Sequence, residues 1–401
     1  MADGLPAMRI LHVTRNLPPL VGGMERLNWH IADELSRRAQ VQVIGPQGSA
    51  AVAPIGIEVR EAPLKPLWRF LLRAQGLARR EAASWKPDIV LAGSGLTAPL
   101  AWRAARACSA NAAVYVHGLD VAVKHPLYRA LWLPAIRRMQ MVIANSQPTA
   151  ALCRQIGVAA ERIAIVHPGV ELPADEHPNG LRSEPLSPRE RGRGAGSAND
   201  FRQHHGLGNR PILLSVGRLS TRKGLREFVV QALPQIVAAH PDAMLLVIGD
   251  APKQALHAQA QSPESIQAAA EAAGVGGNLR FLGVITDYAK LGAAYRAADV
   301  HVFPVRELPG DPEGFGMVAV EAAAHGLPTV AFATGGIVDA VANERSGRLV
   351  ASGDYPGFAV AVSRTLVQRD ALRETCIDFA QGFAWPAFGG GVWAALRRKM
   401  D

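Results

Sequence analysis

Residues 9–38 read RILHVTRNLPPLVGGMERLNWHIADELSRR. Residues 9–13 are mostly apolar, as a strand buried on both faces requires, and residues 24–38 repeat apolar positions at helical spacing. Between them lies a loop rich in proline and glycine. Strand, glycine loop and amphipathic helix make one βα unit, and outward from it the pattern recurs. Strands are expected at 41–44, 89–92, 113–116, 141–144 and 163–166, then at 212–216, 244–248, 279–282, 300–303 and 329–332. Helices fall between them, for example at 147–156. Such alternation specifies doubly wound parallel sheets, so the class is α/β with two Rossmann-like domains.

The bulk properties agree. A chain of 401 residues with 49% hydrophobic and 19% charged residues suits two cores of ordinary size. The expected domains are 1–172, with a last helix at 385–401 returning to it, and 210–384. Between them, 173–209 runs through SEPLSPRERGRGAGSAND with no apolar period, and is expected to be a mobile linker. Cys108, Cys153 and Cys376 form neither a CxxC pair nor a disulfide ladder, which fits a reducing, cytoplasmic setting. No signal peptide is apparent at the start, and no run approaches the roughly 20 apolar residues of a membrane span. The net charge of +9 favours anionic partners, either phosphorylated small molecules or anionic lipid. Without a zinc finger, RNP pattern or helix-turn-helix signature, nucleic acid is not expected.

Chemistry concentrates in a few loops. In EGFGMVAVE, Glu313 and Glu321 are separated by seven residues, and a helix is expected from about Gly316 to about Gly326. Gly314 and Gly316 allow close backbone approach, and a helix N-terminus attracts phosphate. A carboxylate accepts neighbouring hydroxyls, as ribose and hexose rings offer them. Taken alone, a capping acid plus a surface glutamate is the plainer account. Arg218 and Lys223, in SVGRLSTRKG after a buried strand, place two cations where doubly wound sheets bind ligands; a lone pair of this kind reads equally as a solvated turn. Gly22 and Gly23 make a floor free of side chains, with no GxGxxG spacing. His117, in HGLD after the strand ending at Val116, can reach a ligand or be a structural histidine.

Together these motifs resemble the retaining GT-B glycosyltransferases of family 4, in the right order over nearly the whole chain, including VIANS and IVHPGVEL. Within that family HVFPVRELPGDPEGFGMVAVEA and TGGIVDAV are most similar to bacterial phosphatidylinositol mannosyltransferases and enzymes of envelope-polysaccharide and lipopolysaccharide assembly. The resemblance implies two Rossmann-like domains facing a central cleft. It also implies a hexosyltransferase that takes a nucleotide-diphosphate sugar, GDP-mannose or a UDP-sugar, with retention and without metal or other cofactor. By position, Arg218 and Lys223 bind the donor diphosphate, Glu313 the sugar hydroxyls and Glu321 the ribose. Gly217, Gly314, Phe315, Gly316, Met317 and Val318 line the donor, and Leu282, Gly283 and Val284 flank the base. His117 lies near the anomeric centre, Gly22 and Gly23 beneath the phosphate, and Arg15 and Asp120 on the acceptor side. The arginine-rich 176–205 stretch departs from the family pattern.

The acceptor expected is lipid-linked or a glycan. In PLWRFLLRAQGLARR, 66–80, Leu67, Phe70, Leu71, Ala74 and Ala78 share one helical face. Lys65, Trp68, Arg69, Leu72, Arg73 and Arg80 share the other, a composition that suits the cytoplasmic face of an anionic membrane and equally a solvated surface. Tyr128–Arg138 is a second basic–aromatic stretch. Two rival functions use the same architecture: a non-hydrolysing nucleotide-sugar epimerase, and an inert nucleotide-sugar-binding protein.

Overall fold

The computed structural model describes residues 8–173, 197–251 and 261–398. The chain divides into two compact units. One comprises Met1–Gly169, Gly310–Phe315 and Trp385–Asp401; the other comprises Val170–Pro309 and Gly316–Ala384.

The first unit holds strands β1 (Arg9–Val13), β2 (Gln40–Pro46), β3 (Glu58–Ala62), β4 (Ile89–Ala92), β5 (Asn111–Val116), β6 (Met141–Ala144) and β7 (Ile163–Ile165). Its helices are α1 (Gly23–Ser36), α2 (Leu67–Trp85), α3 (Ala98–Cys108), α4 (Leu119–Ala122), α5 (Pro126–Leu131), α6 (Leu133–Arg137) and α7 (Gln147–Gln155). The second unit begins with α8 (Ala198–His204) and holds β8 (Ile212–Val216), β9 (Met244–Ile248), β10 (Leu279–Gly283), β11 (Val300–Phe303), β12 (Thr329–Phe332) and β13 (Gly347–Val350). Between these strands run α9 (Leu225–Gln231), α10 (Leu233–Ala239), α11 (Pro263–Ala272), α12 (Tyr288–Ala297), α13 (Met317–Ala324) and α14 (Ile337–Ala340). The long α15 (Tyr355–Gln381) follows, and α16 (Trp385–Arg397) belongs to the first unit.

Both sheets are parallel throughout, in the orders β3-β2-β1-β4-β5-β6-β7 and β10-β9-β8-β11-β12-β13. In each, the winding reverses beside the first strand, between β1 and β4 or between β8 and β11. Loops leaving the two strands at such a point diverge, and their carboxyl ends are where this kind of sheet binds ligands. Strands covered on both faces must be apolar on both. In β8, Leu213 packs into one cluster with Phe228, Phe332 and Phe358, while Ile212 and Leu214 pack into another with Phe201 and Tyr295.

Helix starts follow local hydrogen-bonding chemistry. Ser146 caps α7 by accepting from Thr149 N–H, with proline in the first turn, and Asp354 caps α15 from Gly357 N–H. The linker expected over 173–209 needs correction at its far end. Ser197 and Asp200 form a reciprocal capping box that starts α8, whose Phe201 is buried against the second unit's core. Burying that ring contributes roughly 2 kcal/mol, enough to order a short helix. Residues 174–196 of that span lie outside the described residues, as do 399–401 of the expected last helix. Residues 310–315, expected in the donor domain, group with the first unit.

The last helix packs on α1. Trp385 stacks on His30 with ring centroids 3.7 Å apart and 9° between planes. Gly389, in a GGG run, lies against the stem of buried Glu34, so that a methyl there would overlap the Glu34 Cβ. Glycine inside a helix costs about 1 kcal/mol in propensity, and here close approach is what it permits. Gly389→Ala should therefore destabilise the first unit by about 1–3 kcal/mol, the overpacking loss outweighing the helix gain. A urea midpoint at or above wild type would show that α16 does not sit this close.

Buried His12 and His301, and half-buried His30, are held neutral. Burial lowers His12 to about 4, opposed by its 3.0 Å contact with Asn28. Burial lowers His30 to about 3, helped by the charges of Arg26 and Arg37, and burial with the Lys223 charge lowers His301 to about 3. Since the unfolded chain protonates each near 6.5, its share of stability is complete above that pH. Each share is lost as pH falls from there toward the folded value, by about 1.4 kcal/mol per pH unit. Urea midpoints should decline from pH 7.5 to 5, and His301→Asn should flatten the slope of the second unit's transition. Midpoints that do not move with pH would show that these rings are not held neutral.

Candidate functional site

In the second unit the loop after β8 is built to hold a cation at the switch point. Gly217 adopts φ 141°, and its N–H bonds to the Ile248 carbonyl at 2.9 Å, pinning the loop to β9. The chain then passes exposed Arg218 into a single turn at Thr221–Lys223, closed by Gly224 at φ 68°. A side chain at 224 would collide with the Pro304 carbonyl, so the turn rests directly on the segment leaving β11. This folds Lys223 back until its Nζ lies 4.6 Å from the centroid of the Phe303 ring, at the end of β11. A cation over an aromatic face is stabilised without surrendering its charge.

The same ring meets the start of α13. Gly316 caps that helix at φ 95°, and a Cβ there would stand 2.9 Å from Phe303 Cε1. One aromatic side chain thus carries the Lys223 ammonium and the N-terminus of α13, where Met317 and Val318 begin the first turn. Unbonded helical N–H groups and an ammonium together attract an anion. Further along α13, Glu321 accepts from the Tyr295 hydroxyl at 3.2 Å, while its carbonyl accepts from His325 Nδ1 at 2.9 Å. The carboxylate is therefore held in a fixed direction. Leu282 and Gly283 end the edge strand β10, and Val284, 60% exposed, follows it.

In the first unit, His117 follows β5. Its backbone N–H donates to Asp120 Oδ2 at 2.9 Å, and its Nε2 lies 3.2 Å from the Gly93 carbonyl. A carbonyl only accepts, so Nε2 carries the proton and Nδ1 keeps its lone pair. Burial lowers the His117 pKa, while Asp120, the Gly93 carbonyl and Glu25 oppose that shift. Burial likewise lowers the Arg15 pKa against the pull of Glu25. Glu25, in the first turn of α1, accepts from Asn16 Nδ2 at 2.7 Å and folds back over Gly22, where its carboxylate would collide with any side chain. Gly23 opens α1 directly after this turn. Gly314 leaves no room for a side chain beside Asn145 Nδ2, and Phe315 stacks on His167 at 5.3 Å. Glu313 is half-buried in the same segment.

The expected residues therefore fall into two groups. Gly22, Gly23, Arg15, His117, Asp120, Glu313, Gly314 and Phe315 lie in the first unit, while Gly217, Arg218, Lys223, Leu282–Val284, Gly316–Val318 and Glu321 lie in the second. Sequence reading missed Glu25, Asn16, Phe303 and Tyr295. Only Phe303 left a usable signal, as the aromatic that ends a buried strand at the switch point. The 65–80 face is exposed as expected, with Trp68 60% and Leu72 68% accessible and Phe70, Ala74 and Ala78 buried. Among the described residues, no helix is long and apolar enough to cross a membrane. No group of three or more His, Cys, Asp or Glu side chains there is placed to hold a metal ion.

Known proteins share this layout. The model of Glycosyltransferase Family 4 matches residues 21–173, and that of Glycosyl transferases group 1 matches residues 197–382. A D-inositol 3-phosphate glycosyltransferase of Segniliparus rotundus is 31% identical over 268 residues, 65% of this chain and 52% of that protein. The chain thus spans about half the length of such relatives. A GDP-mannose-dependent alpha-(1-6)-phosphatidylinositol monomannoside mannosyltransferase of Mycolicibacterium smegmatis is 27% identical over 371 residues, 89% of each chain. The crystal structure of Anabaena HepE in complex with UDP and glucose has a TM-score of 0.74 at 21% identity, covering 97% of this chain and 99% of that one, a likeness of fold. With the two models matching in succession and two parallel-sheet units of GT-B type, the chain belongs to the family 4 glycosyltransferases.

Proposed function

We propose that this protein transfers a hexose from a nucleoside-diphosphate sugar to a phosphate-bearing or lipid-linked acceptor in envelope glycolipid or polysaccharide synthesis, with retention and without a metal. The observation that carries the reading is the Phe303 ring, which holds the Lys223 ammonium and the N-terminus of α13 at one strand end. Breaking the bond from the sugar to the diphosphate adds one negative charge to an already anionic leaving group, and fixed positive charge there acts mainly on the transition state. Arg218 supplements Lys223, and the backbone of Gly314–Val318 lines the donor. Glu321, oriented by Tyr295, takes the ribose hydroxyls; Glu313 takes those of the sugar. The base lies along Leu282–Val284, and Gly217, Gly22 and Gly23 leave room for the phosphates. His117, kept neutral, offers Nδ1 to a sugar hydroxyl, with Asp120 and Arg15 on the acceptor side.

In the step envisaged, the bond from the anomeric carbon to the diphosphate oxygen breaks as an acceptor oxygen attacks the same face. The acceptor proton passes to the departing phosphate. Relatives named for GDP-mannose and for phosphatidylinositol or inositol 3-phosphate support a mannosyl-type donor and an anionic acceptor, and HepE with UDP keeps a UDP-sugar in view.

Lys223→Ala should lower turnover by about 100-fold or more, by analogy with the loss of one transition-state donor, while leaving the fold intact. Glu321→Gln should weaken UDP or GDP binding measured by calorimetry, whereas Glu313→Gln should spare it and damage transfer. Product analysis with labelled donor gives the sharpest result. An isomerised donor in place of a new glycoside would replace transfer with epimerisation, and no turnover with intact nucleotide binding would leave a binding protein.

The exposed face of α2 is proposed to rest on the cytoplasmic leaflet and to present a lipid acceptor. Lys65, Arg69, Arg73 and Arg80 each contribute on the order of 1 kcal/mol at an anionic surface, and Trp68 anchors at the interface. Co-sedimentation with anionic vesicles should rise with their charge, fall with salt, and be lost in Arg69→Glu with Arg73→Glu. Wild-type protein that ignores such vesicles at low salt would point to a soluble acceptor.

A further inference from the structure

An open groove of about 680 Å³ lies in the first unit, apart from the residues assigned above. Its walls include Lys124, Arg129 and Arg137, with Leu133, Gln155 and Ile156. The three cations come from three places: Lys124 from the turn after α4, Arg129 from α5 and Arg137 from α6. No carboxylate lines the groove, and among the described residues none of the three cations has an ion-pair partner. Like charges gathered on one concave surface repel, and an anion in their midst relieves that repulsion. Guanidinium forks match the oxygens of a phosphate, with lysine adding a point charge.

Two further features narrow the ligand. Leu127 and Leu131, one turn apart on α5, are 58% and 55% exposed beside the groove-lining positions. An apolar chain leaving a bound phosphate would find cover there. Lys124 also passes within 4 Å of a Cβ placed at Gly310, in the segment that carries Glu313. One cation of the groove wall thus lies beside a segment already assigned to the proposed reaction.

We propose that this groove binds the phosphate of the acceptor. Arg129 and Arg137 take its oxygens, Lys124 adds charge at the mouth, and Leu127 and Leu131 cover an apolar chain where the acceptor carries one. This deepens the sugar-transfer reading and rests on it. The shared chemistry is a phosphate ester, whose source is either a soluble molecule or a lipid headgroup.

The test uses the full chain, with glycerol 3-phosphate followed by calorimetry, and flotation with vesicles of phosphatidylglycerol in phosphatidylcholine. Arg129→Gln with Arg137→Gln should weaken glycerol 3-phosphate binding by about tenfold or more, as expected for the loss of charged hydrogen bonds. Lys124→Gln alone should show a smaller loss. If the soluble ester does not bind but the double variant loses vesicle binding, the groove reads the phosphate within a bilayer. If neither ligand distinguishes the variants from wild type, the proposal is overturned. UDP and GDP titrations run alongside separate the two readings. Nucleotide binding retained with the phosphate effect absent removes the groove alone, and wild type that binds phosphate but no nucleotide removes the transfer reading. Unchanged nucleotide binding in the variants also reports that they are folded.

Discussion

Every strand in each sheet runs the same way, so every carboxyl end emerges at one edge, and the rest of the molecule depends on that constraint. A parallel sheet offers its ligand site only there, and most openly where the winding reverses. In the second unit the reversal falls between β8 and β11. The loop from β8 brings Lys223, and the last residue of β11 brings the ring on which it rests. Because β8 and β11 are register neighbours, with Val300 opposite Leu213, the cation and its platform are fixed by backbone hydrogen bonds. Moving β11 by one residue would turn Phe303 to the other face and remove the ring from beneath Lys223. Rigid placement of this kind is what electrostatic assistance to a leaving group requires.

Glycines set how closely the loops approach that edge. A Cβ at Gly249 would overlap the Gly217 carbonyl, one at Gly224 the Pro304 carbonyl, and one at Gly316 would crowd Phe303. These positions also carry φ values of 144°, 68° and 95°, in the region that favours glycine. The site is thus a set of close backbone approaches with few side chains pointing in. Substituting any of the three would act through packing and strain together, so a loss of activity there would not identify a ligand contact. Lys223 and Glu321 are cleaner probes for that reason.

Much of this was legible from residue order. The EGFGMVAVE stretch foretold a helix from about 316 to 326, and α13 occupies Met317–Ala324 between two left-handed glycines. The apolar and basic faces of 65–80 also fall as spacing placed them. What escaped had physical causes. Strand β3, EVREA, lies at the sheet edge, where one side needs no apolar cover, so its charges concealed it. Helix α8 was hidden by neighbouring Pro, Gly and Arg residues, although Ser197 and Asp200 have capping-box spacing. Tyr295 could not be found from sequence. Its hydroxyl reaches Glu321 across 26 positions, and only the packing of α12 against the sheet brings them together.

The first unit shows how burial and charge are set against each other. His117 loses proton affinity through burial, yet Asp120 and Glu25 both pull the other way. Glu25 also sits over Gly22 and opposes the lowering of Arg15. Two carboxylates around a neutral imidazole make a poor site for a phosphate alone and a good one for sugar hydroxyls, which donate to carboxylates and to a bare imidazole nitrogen. The second unit has the opposite character at its switch point, with an ammonium and helical N–H groups. Sugar transfer needs both characters, because the breaking bond places positive charge on the anomeric carbon and negative charge on the diphosphate. On the proposed reading each unit supplies the sign that its own fragment of the donor requires. The Glu25 carboxylate then belongs with the sugar, and the bare backbone of Gly22 and Gly23 beside it leaves room for the phosphates.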